Sequence, residues 1–423
     1  MNFLKKNSTY CSSVLVSFLI LLLRASERVT KPDLWAEDGY WFVNHSLSIG
    51  WPSIFTQMAG YFQIAERASV WLLIQAIPLP YLPHAIALTC LLIFSLIISK
   101  ITSKDYEWLI PSQVLRYCLL LTFCFLPGLH EILANFCNLP WLFFYYLGLI
   151  ALKDPKESLS KMEIGFSCLA LFSTGTAILL IPVFMYRCYL RKKQPCLSRD
   201  LFLLLLICGT VLSTIFLLPR EWQLYQRRDY YAYGSAYIRS LAQSGFIQPW
   251  LGDQITFFLM KDEIEFYSIG LILLASFGLL VQAFRGKSSQ AQTVLFLLFA
   301  SVSSFPVLTG MTRPNVLFAW TEPPTAWFFK HRYAFPLAFI AVSFLGGFFL
   351  SKEECARKKL SFCLDGRQHF LWNQTVQSSP LRSREKMGSN CGTAAKLDKA
   401  FRSFLCFGSS LPRRMGRFRL YRR

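Results

Sequence analysis

The stretch YLPHAIALTCLLIFSLIIS, Tyr81 to Ser99, runs for 19 residues without an Asp, Glu, Lys or Arg. As a helix rising about 1.5 Å per residue, it would cover most of the roughly 30 Å hydrocarbon core of a bilayer. It lacks the apolar–polar alternation of a barrel strand. A backbone in lipid has to satisfy its own hydrogen bonds, which a helix does. The stretch therefore predicts a helix that crosses a membrane.

Similar apolar blocks recur along the chain, which is 54% hydrophobic and only 16% charged. A soluble chain of this length carries about a quarter charged residues. The blocks are Ser8–Arg24, Ala68–Pro78, Tyr81–Ser99, Val114–Pro127, Leu139–Leu152, Ile164–Tyr186, Leu201–Pro219, Phe266–Phe284, Ala291–Thr309 and Tyr333–Leu350. They predict an all-α fold, a polytopic transmembrane helical bundle of about ten helices.

Lys and Arg in the short loops set the expected orientation, because cytoplasmic loops carry the excess of positive charge. Lys5, Lys6 and the basic loop 187–199 place the N-terminus and that loop inside. Segments 25–67, 220–265 and 310–332 then lie outside. We expect a multi-pass protein of the cytoplasmic (inner) membrane with both termini in the cytoplasm. An alternative for the first block is a signal peptide.

The net charge of +20 is concentrated at the C-terminal end, where residues 352–423 hold 17 Lys and Arg against five Asp and Glu. Two regions are therefore expected: a bundle over residues 1–350, with long outer loops 25–67 and 220–265, and a basic, disordered cytoplasmic tail over 351–423. Such a tail suits anionic membrane lipid, and no nucleic-acid partner is expected. The abrupt change in composition leaves a shifted reading frame after Ser351 as the alternative.

The middle of the chain allows two topologies with the same number of crossings. In the first, Ala68–Pro78 crosses the membrane and Ile164–Tyr186 is one helix. In the second, which we prefer, Ile54–Pro78 is an interfacial helix on the outer face. Ile164–Tyr186 is then two short helices broken around Ser173–Gly175, and residues 127–138 lie outside.

The first outer loop contains adjacent carboxylates, Glu37 and Asp38, within the aromatic sequence Trp35-Ala36-Glu37-Asp38-Gly39-Tyr40-Trp41-Phe42. Two neighbouring carboxyl groups divide into an ionised base and a partner with a raised pKa, or they hold a divalent ion. The structural alternative is that both cap a helix over Tyr40–Leu47. Arg67 follows at a membrane boundary, and two roles are open for it: bidentate binding of a phosphate, or anchoring of the chain at the membrane interface.

The pattern W-A-E-D-G-x-x-F followed by G-Y-x-x-x-x-x-R, after a short first helix, resembles integral-membrane glycosyltransferases of the GT-C type. This group includes dolichyl-phosphate mannosyltransferases and undecaprenyl-phosphate-dependent aminoarabinose transferases. The likeness is clearest over Leu34–Pro83. Asn138-x-x-Trp141 and His331-Arg332-Tyr333 match more loosely. This chain departs from the larger families in its short second outer loop and its tail.

The resemblance implies the roles of individual residues. Glu37 and Asp38 match the acidic position that deprotonates the acceptor, with Asp33 a weaker candidate. Residues of the other outer-face segments would bind the lipid phosphate and the sugar: Tyr61, Arg67, His130, Glu131, Asn138, Arg332 and Tyr333, with Arg227 and Arg228 in reserve. No cofactor is required by the pattern. The one that stays open is a divalent cation, Mg²⁺ or Mn²⁺, with Asp38 as a ligand.

The expected function is transfer of a sugar from a polyprenyl-phosphate donor to a glycan or lipid acceptor of the cell envelope. The sequence contains no phosphate-binding P-loop and no dinucleotide-binding glycine pattern, which a lipid-linked donor does not need. Two alternatives stay open: a transporter or flippase of the lipid-linked sugar, and a non-catalytic membrane protein.

Overall fold

The structure is a computed structural model and describes residues 8–35, 37–57, 62–126, 129–192, 197–217 and 289–303. These residues all belong to the first of two units of the chain, Met1–Lys359 and Leu360–Arg423. Over the described ranges the chain is helical and contains no strand, which confirms the all-α prediction for this part. The predicted crossings Phe266–Phe284 and Tyr333–Leu350, the outer loop 220–265 and the tail lie outside the described residues.

Twelve α-helices are numbered here in chain order within the described ranges. They are α1 Ser8–Arg24, α2 Ser26–Thr30, α3 Asn44–Ile49, α4 Ile64–Ala76, α5 Leu82–Ser99, α6 Gln113–Cys124, α7 Leu129–Ile132, α8 Leu139–Leu152, α9 Lys161–Ser173, α10 Ile181–Leu190, α11 Leu197–Leu217 and α12 Ser289–Ser303. A π-helix covers Asp38–Val43. Short 3-10 helices cover Trp51–Phe55, Leu79–Tyr81, Lys100–Thr102, Lys104–Tyr106 and Gly175–Leu180.

Among the described residues, one helical stretch, Leu79–Thr102, is long and apolar enough by itself to cross a membrane. The pair Lys161–Ser173 and Gly175–Leu190 passes the same test only if the two are counted as one span, and they are bent by 118°. Four other apolar helical stretches of the described part have 10–17 residues: Ser8–Arg24, Gln113–Cys124, Leu139–Leu152 and Ser289–Ala300. At about 1.5 Å per residue they fall short of a 30 Å core.

The break expected at Ser173–Gly175 is confirmed by this bend. The continuous interfacial helix expected over Ile54–Pro78 is wrong. Helical structure ends at Phe55 because Thr56 is extended, and α4 begins only at Ile64. Gln63, immediately before α4, adopts a left-handed conformation with φ 75°, which starts the helix in a new direction.

Helix α8 lies at the centre of the bundle. Every one of its residues except Trp141 is buried, as expected for a helix that is apolar all round. Helices α1 and α5 pack antiparallel through small hydroxyl side chains. Ser17 Oγ lies 3.0 Å from Ser99 Oγ, and Ser13 Oγ lies 2.9 Å from Thr102 Oγ1. Small polar contacts of this kind are typical of helices that pack within lipid.

The ion pairs of the described residues gather at one end of the bundle, which we call the basic end. Glu163 at the start of α9 receives Lys100 at 2.7 Å and Lys153 at 3.0 Å. Asp200 at the start of α11 pairs with Arg187 at 2.8 Å and Arg191 at 2.9 Å. The far end of α9 carries the Ser173 break and meets the first loop. The helices therefore separate the basic end from the end that holds the candidate site.

Candidate functional site

Asp38 is buried, and its carboxyl group accepts hydrogen bonds from the backbone of a turn that is distant in the sequence. Its Oδ2 accepts the N–H of Phe136 at 2.9 Å, and its Oδ1 accepts the N–H of Cys137 at 2.8 Å. Only 1% of Asp38 is exposed. The capping interpretation is therefore wrong for Asp38, because its carboxyl group serves another segment and not the helix that it begins.

The turn that receives Asp38 has a strained backbone. Ala134 has φ 62°, a left-handed conformation that is uncommon for a residue with a Cβ atom. Asn135 Oδ1 accepts the N–H of Asn138, and the amide nitrogens of Asn135 and Asn138 both donate to the carbonyl of Glu131. This network holds successive N–H groups facing one way, the arrangement in which a backbone binds an anion.

Arg28 and Arg24 attach the same region to the first loop. Arg28 Nη1 donates to the carbonyl of Leu133 at 3.0 Å. Arg24 donates from both terminal nitrogens to the carbonyls of Cys124 and Leu126. Leu126, Leu133 and residues 136–137 therefore lie beside the end of α1 and the first loop.

The pKa of Asp38 reflects this environment. Burial raises the pKa to about 7, while the two backbone hydrogen bonds and the charge of Arg28 act in the lowering direction. The charge of Glu37 adds to the increase. A carboxyl group with a pKa near the working pH exchanges protons readily, which suits a general base.

Arg67 is fully buried beside the same π-helix. Its guanidinium carbon lies 5.1 Å from the ring centroid of Phe42. Nη1 donates to the carbonyls of Trp41 and Ser53 over long distances, 3.4 and 3.3 Å. Within the described part of the chain, Nε and Nη2 have no hydrogen-bond acceptor. Burial lowers the pKa of Arg67 to about 10, so the side chain is charged at neutral pH.

Glu66 is a residue that the sequence interpretation passed over. It is fully buried, and burial raises its pKa to about 8. The Ser173 hydroxyl and the charge of Arg67 act in the opposite direction. The charge of Asp38 also reaches Glu66. A signal was present in the sequence, since a carboxylate between Ile64-Ala65 and an apolar helix is costly in lipid and usually functional.

The other predicted residues are only partly placed. Glu37 is half-buried and does not cap the π-helix, and Asp33 is exposed. Glu131 and Asn138 are buried in the turn network, at 7% and 1% exposure. His130 lies in the short helix α7, and its side chain is not described. Tyr61, Arg227, Arg228, Arg332 and Tyr333 lie outside the described residues.

The described residues do not form a metal centre. Among them no group of three or more His, Cys, Asp or Glu side chains is placed to hold an ion. Both oxygens of Asp38, the expected ligand, already accept backbone N–H groups. We therefore derive no step through a metal.

Comparison with known proteins gives no match. No family model fits the chain, and no curated protein or solved structure is similar enough to place it in a family. The function proposed below therefore rests on the residues of the site.

Proposed function

We propose that the chain is a polytopic membrane glycosyltransferase of the GT-C type with about ten crossings. It would transfer a sugar from a polyprenyl-phosphate donor to an envelope glycan or lipid acceptor at the outer face. One observation carries the proposal: the π-helix Asp38–Val43 bears a buried carboxyl group and also contacts a buried arginine through Phe42 and Trp41. Short π-helical turns occur frequently at functional sites.

Asp38 is suited to take the proton from the acceptor hydroxyl. A carboxylate has about four lone-pair sites, and two backbone N–H groups occupy one on each oxygen. The remaining lone pairs can accept a proton. The two bonds to the backbone of Phe136 and Cys137 fix the direction of the carboxyl group, which lowers the cost of orienting it during reaction.

Arg67 is suited to stabilise the departing lipid phosphate. In a guanidinium group Nε and Nη2 point along one edge, and this edge binds two oxygens of one oxyanion. In Arg67 the two donors on this edge are the ones without an acceptor among the described residues. The acceptor oxygen would form a bond to the anomeric carbon of the sugar and lose its proton to Asp38, while the bond from that carbon to the lipid phosphate breaks and Arg67 stabilises the phosphate that leaves.

A flippase or transporter of the same lipid-linked sugar is the second candidate. The observation that favours it is the 118° bend between α9 and the following helical segment, whose tip meets the start of α4. Broken helices often line the substrate sites of transporters. The same carboxyl group and arginine would then bind the substrate without breaking a bond.

The experiment is to supply a radiolabelled polyprenyl-phosphate sugar to membranes that contain the chain and to analyse the product. A transferase moves the label to an acceptor, whereas a flippase leaves the sugar–lipid bond intact and moves the lipid to the other leaflet. Glu37→Gln is expected to retain most transfer, because Glu37 is half-buried and Asp38 is the carboxyl group fixed in the site. Intact labelled lipid in the opposite leaflet would replace the first proposal with the second.

A further inference from the structure

Glu66 is a buried acid whose hydrogen bonding is incomplete among the described residues. It is 0% exposed, and the Ser173 hydroxyl and its own backbone N–H act on its carboxyl group, but within the described ranges neither carboxyl oxygen makes a hydrogen bond of full geometry. Nearly all buried polar groups in proteins have a partner, and an exception calls for an explanation such as a ligand or water. The cost of leaving such a group unpaired is high in a dry interior.

Arg67, the next residue, has donors without acceptors. Its Nε and Nη2 find no acceptor among the described residues, and the side chain is 0% exposed. The charges of Glu66 and Arg67 act on each other, yet no nitrogen of Arg67 is hydrogen-bonded to a Glu66 oxygen. Among the described residues, this adjacent acid and base therefore do not satisfy each other's hydrogen-bonding groups.

The surrounding backbone fixes both residues in place. The N–H of Gln63 donates to the carbonyl of Phe172 at 3.3 Å, and the N–H of Ala65 donates to Ser173 Oγ at 2.9 Å. The start of α4 is thereby attached to the tip of the broken helix pair. The site is a rigid one, because both elements are held at the same point by hydrogen bonds.

We propose that Glu66, in its uncharged form, donates a hydrogen bond to a phosphodiester whose oxygens are bound by the Nε and Nη2 edge of Arg67. The choice of phosphate rests on the proposed function, while the participation of Glu66 rests on its geometry. A phosphodiester carries one negative charge, which Arg67 balances only while Glu66 keeps its proton. Ionised Glu66 would place a second negative charge beside the phosphate and repel it.

Within the described ranges, the titratable groups that face Glu66 come from five helical elements. Arg67 lies on its own helix, and Asp38 comes from the π-helix packed against it. Helix α5 contributes Cys90, and α3 contributes His45, which faces Arg67. Helix α9 presents Ser173 here, since its Glu163 pairs with Lys100 and Lys153 at the basic end. Of this set, Asp38 accepts two backbone hydrogen bonds of 2.9 and 2.8 Å, whereas the Ser173 hydroxyl and the backbone N–H of Glu66 stabilise the charged form of Glu66 less than burial disfavours it. Its pKa, raised to about 8 by burial, agrees with a proton held at neutral pH.

The test uses the full chain in lipid nanodiscs and the methyl ester of farnesyl phosphate, a phosphodiester that stays singly charged throughout the titration. Its affinity is measured from pH 6.5 to pH 9.5, with farnesol as the probe that lacks the phosphate. The wild type is expected to bind about tenfold more weakly at pH 9.5 than at pH 6.5, which is one pKa unit of coupling. Glu66→Gln is expected to bind with little dependence on pH.

Matched variants test which residues bind the ester and which cause the pH dependence of its affinity. Arg67→Gln should lose binding at every pH. Arg116→Gln, a buried arginine bonded to the carbonyls of Ile110 and Pro111, should bind as the wild type does. An unchanged pH profile in Glu66→Gln overturns the proposal, as does wild-type affinity in Arg67→Gln.

A second measurement needs no variant. On binding the phosphodiester at pH 8.5 in weak buffer, the wild-type chain should take up a substantial fraction of one proton per molecule bound. Absence of uptake, or failure of the wild type to bind the ester, overturns the inference. Binding with proton uptake in a chain that transfers no sugar supports the inference and contradicts the proposed function.

Discussion

At the residue scale, the site depends on carboxyl groups whose pKa burial raises to near neutral pH. Asp38 and Glu66 have pKa values raised to about 7 and about 8. The acidic pair that the sequence emphasised was Glu37 and Asp38. The pair whose charges meet in the buried site is Asp38 and Glu66. The adjacency of Glu37 and Asp38 in the sequence did not predict this pair, because the two side chains lie in different environments.

The raised pKa of Glu66 predicts a dependence of stability on pH. A carboxyl group whose pKa is higher in the folded state than in the unfolded state contributes stability below its unfolded pKa. That contribution is lost as the pH rises through the folded pKa, here about 8. Thermal unfolding in detergent should therefore show a decrease of roughly 2–4 kcal/mol in stability between pH 4.5 and pH 8.5.

Glu66→Gln should flatten the upper part of this pH curve, with Asp38 still contributing below about pH 7. Asp33→Asn is the matched control, because Asp33 is exposed. If Glu66→Gln keeps the full decrease between pH 7 and pH 8.5, the carboxyl group of Glu66 does not carry the buried proton.

Arg67 offers a second test at this scale. Arg67→Lys keeps the positive charge but removes the planar edge formed by Nε and Nη2. We expect kcat/KM for sugar transfer to decrease by about 10–100-fold, or roughly 1.4–2.8 kcal/mol. Arg116→Lys should transfer sugar at a rate close to that of the wild type. Equal activity of Arg67→Lys and wild type would show that the bidentate edge is not used.

At the scale of elements, the sequence predicts helix positions well where an apolar run ends at a charge or a proline. Helices α1 and α8 occupy the predicted ranges Ser8–Arg24 and Leu139–Leu152. The prediction failed over Ile54–Pro78, because apolar content does not reveal the left-handed residue Gln63. The contact between Asp38 and residues 136–137 spans almost a hundred positions, and no local pattern encodes it.

The basic end provides a prediction about the pairing of elements. Asp200 of α11 forms ion pairs with Arg187, which lies in α10, and with Arg191, which follows the end of α10. All three side chains are buried. Asp200→Asn would leave two guanidinium groups without their counter-ion, which typically costs about 3–5 kcal/mol. The thermal unfolding midpoint in detergent should decrease by several degrees, while Asp33→Asn should leave it unchanged. An unaltered midpoint in Asp200→Asn would mean that the carbonyls of Lys153 and Glu157 suffice for both arginines.

At the scale of the whole molecule, the described helices separate a basic end from the end that holds the site. This arrangement fits a protein that crosses a bilayer with its basic loops inside. In a cysteine-free background, a cysteine placed at Asp33 should react with a membrane-impermeant maleimide in intact cells. A cysteine placed at the exposed Lys192 should react only after the cells are broken. Labelling of both positions in intact cells would contradict the proposed orientation.

The central claim is that the buried carboxyl group of Asp38 serves sugar transfer. The most direct measurement compares Asp38→Asn with Asp33→Asn in proteoliposomes supplied with a radiolabelled polyprenyl-phosphate sugar and an envelope acceptor. Activity is expressed per folded molecule, as determined by size-exclusion chromatography. We predict that Asp38→Asn lowers transfer by about 10²–10⁴-fold, the usual contribution of a general base, while Asp33→Asn stays near the wild-type rate. Folded Asp38→Asn protein that transfers sugar as fast as Asp33→Asn would contradict the claim.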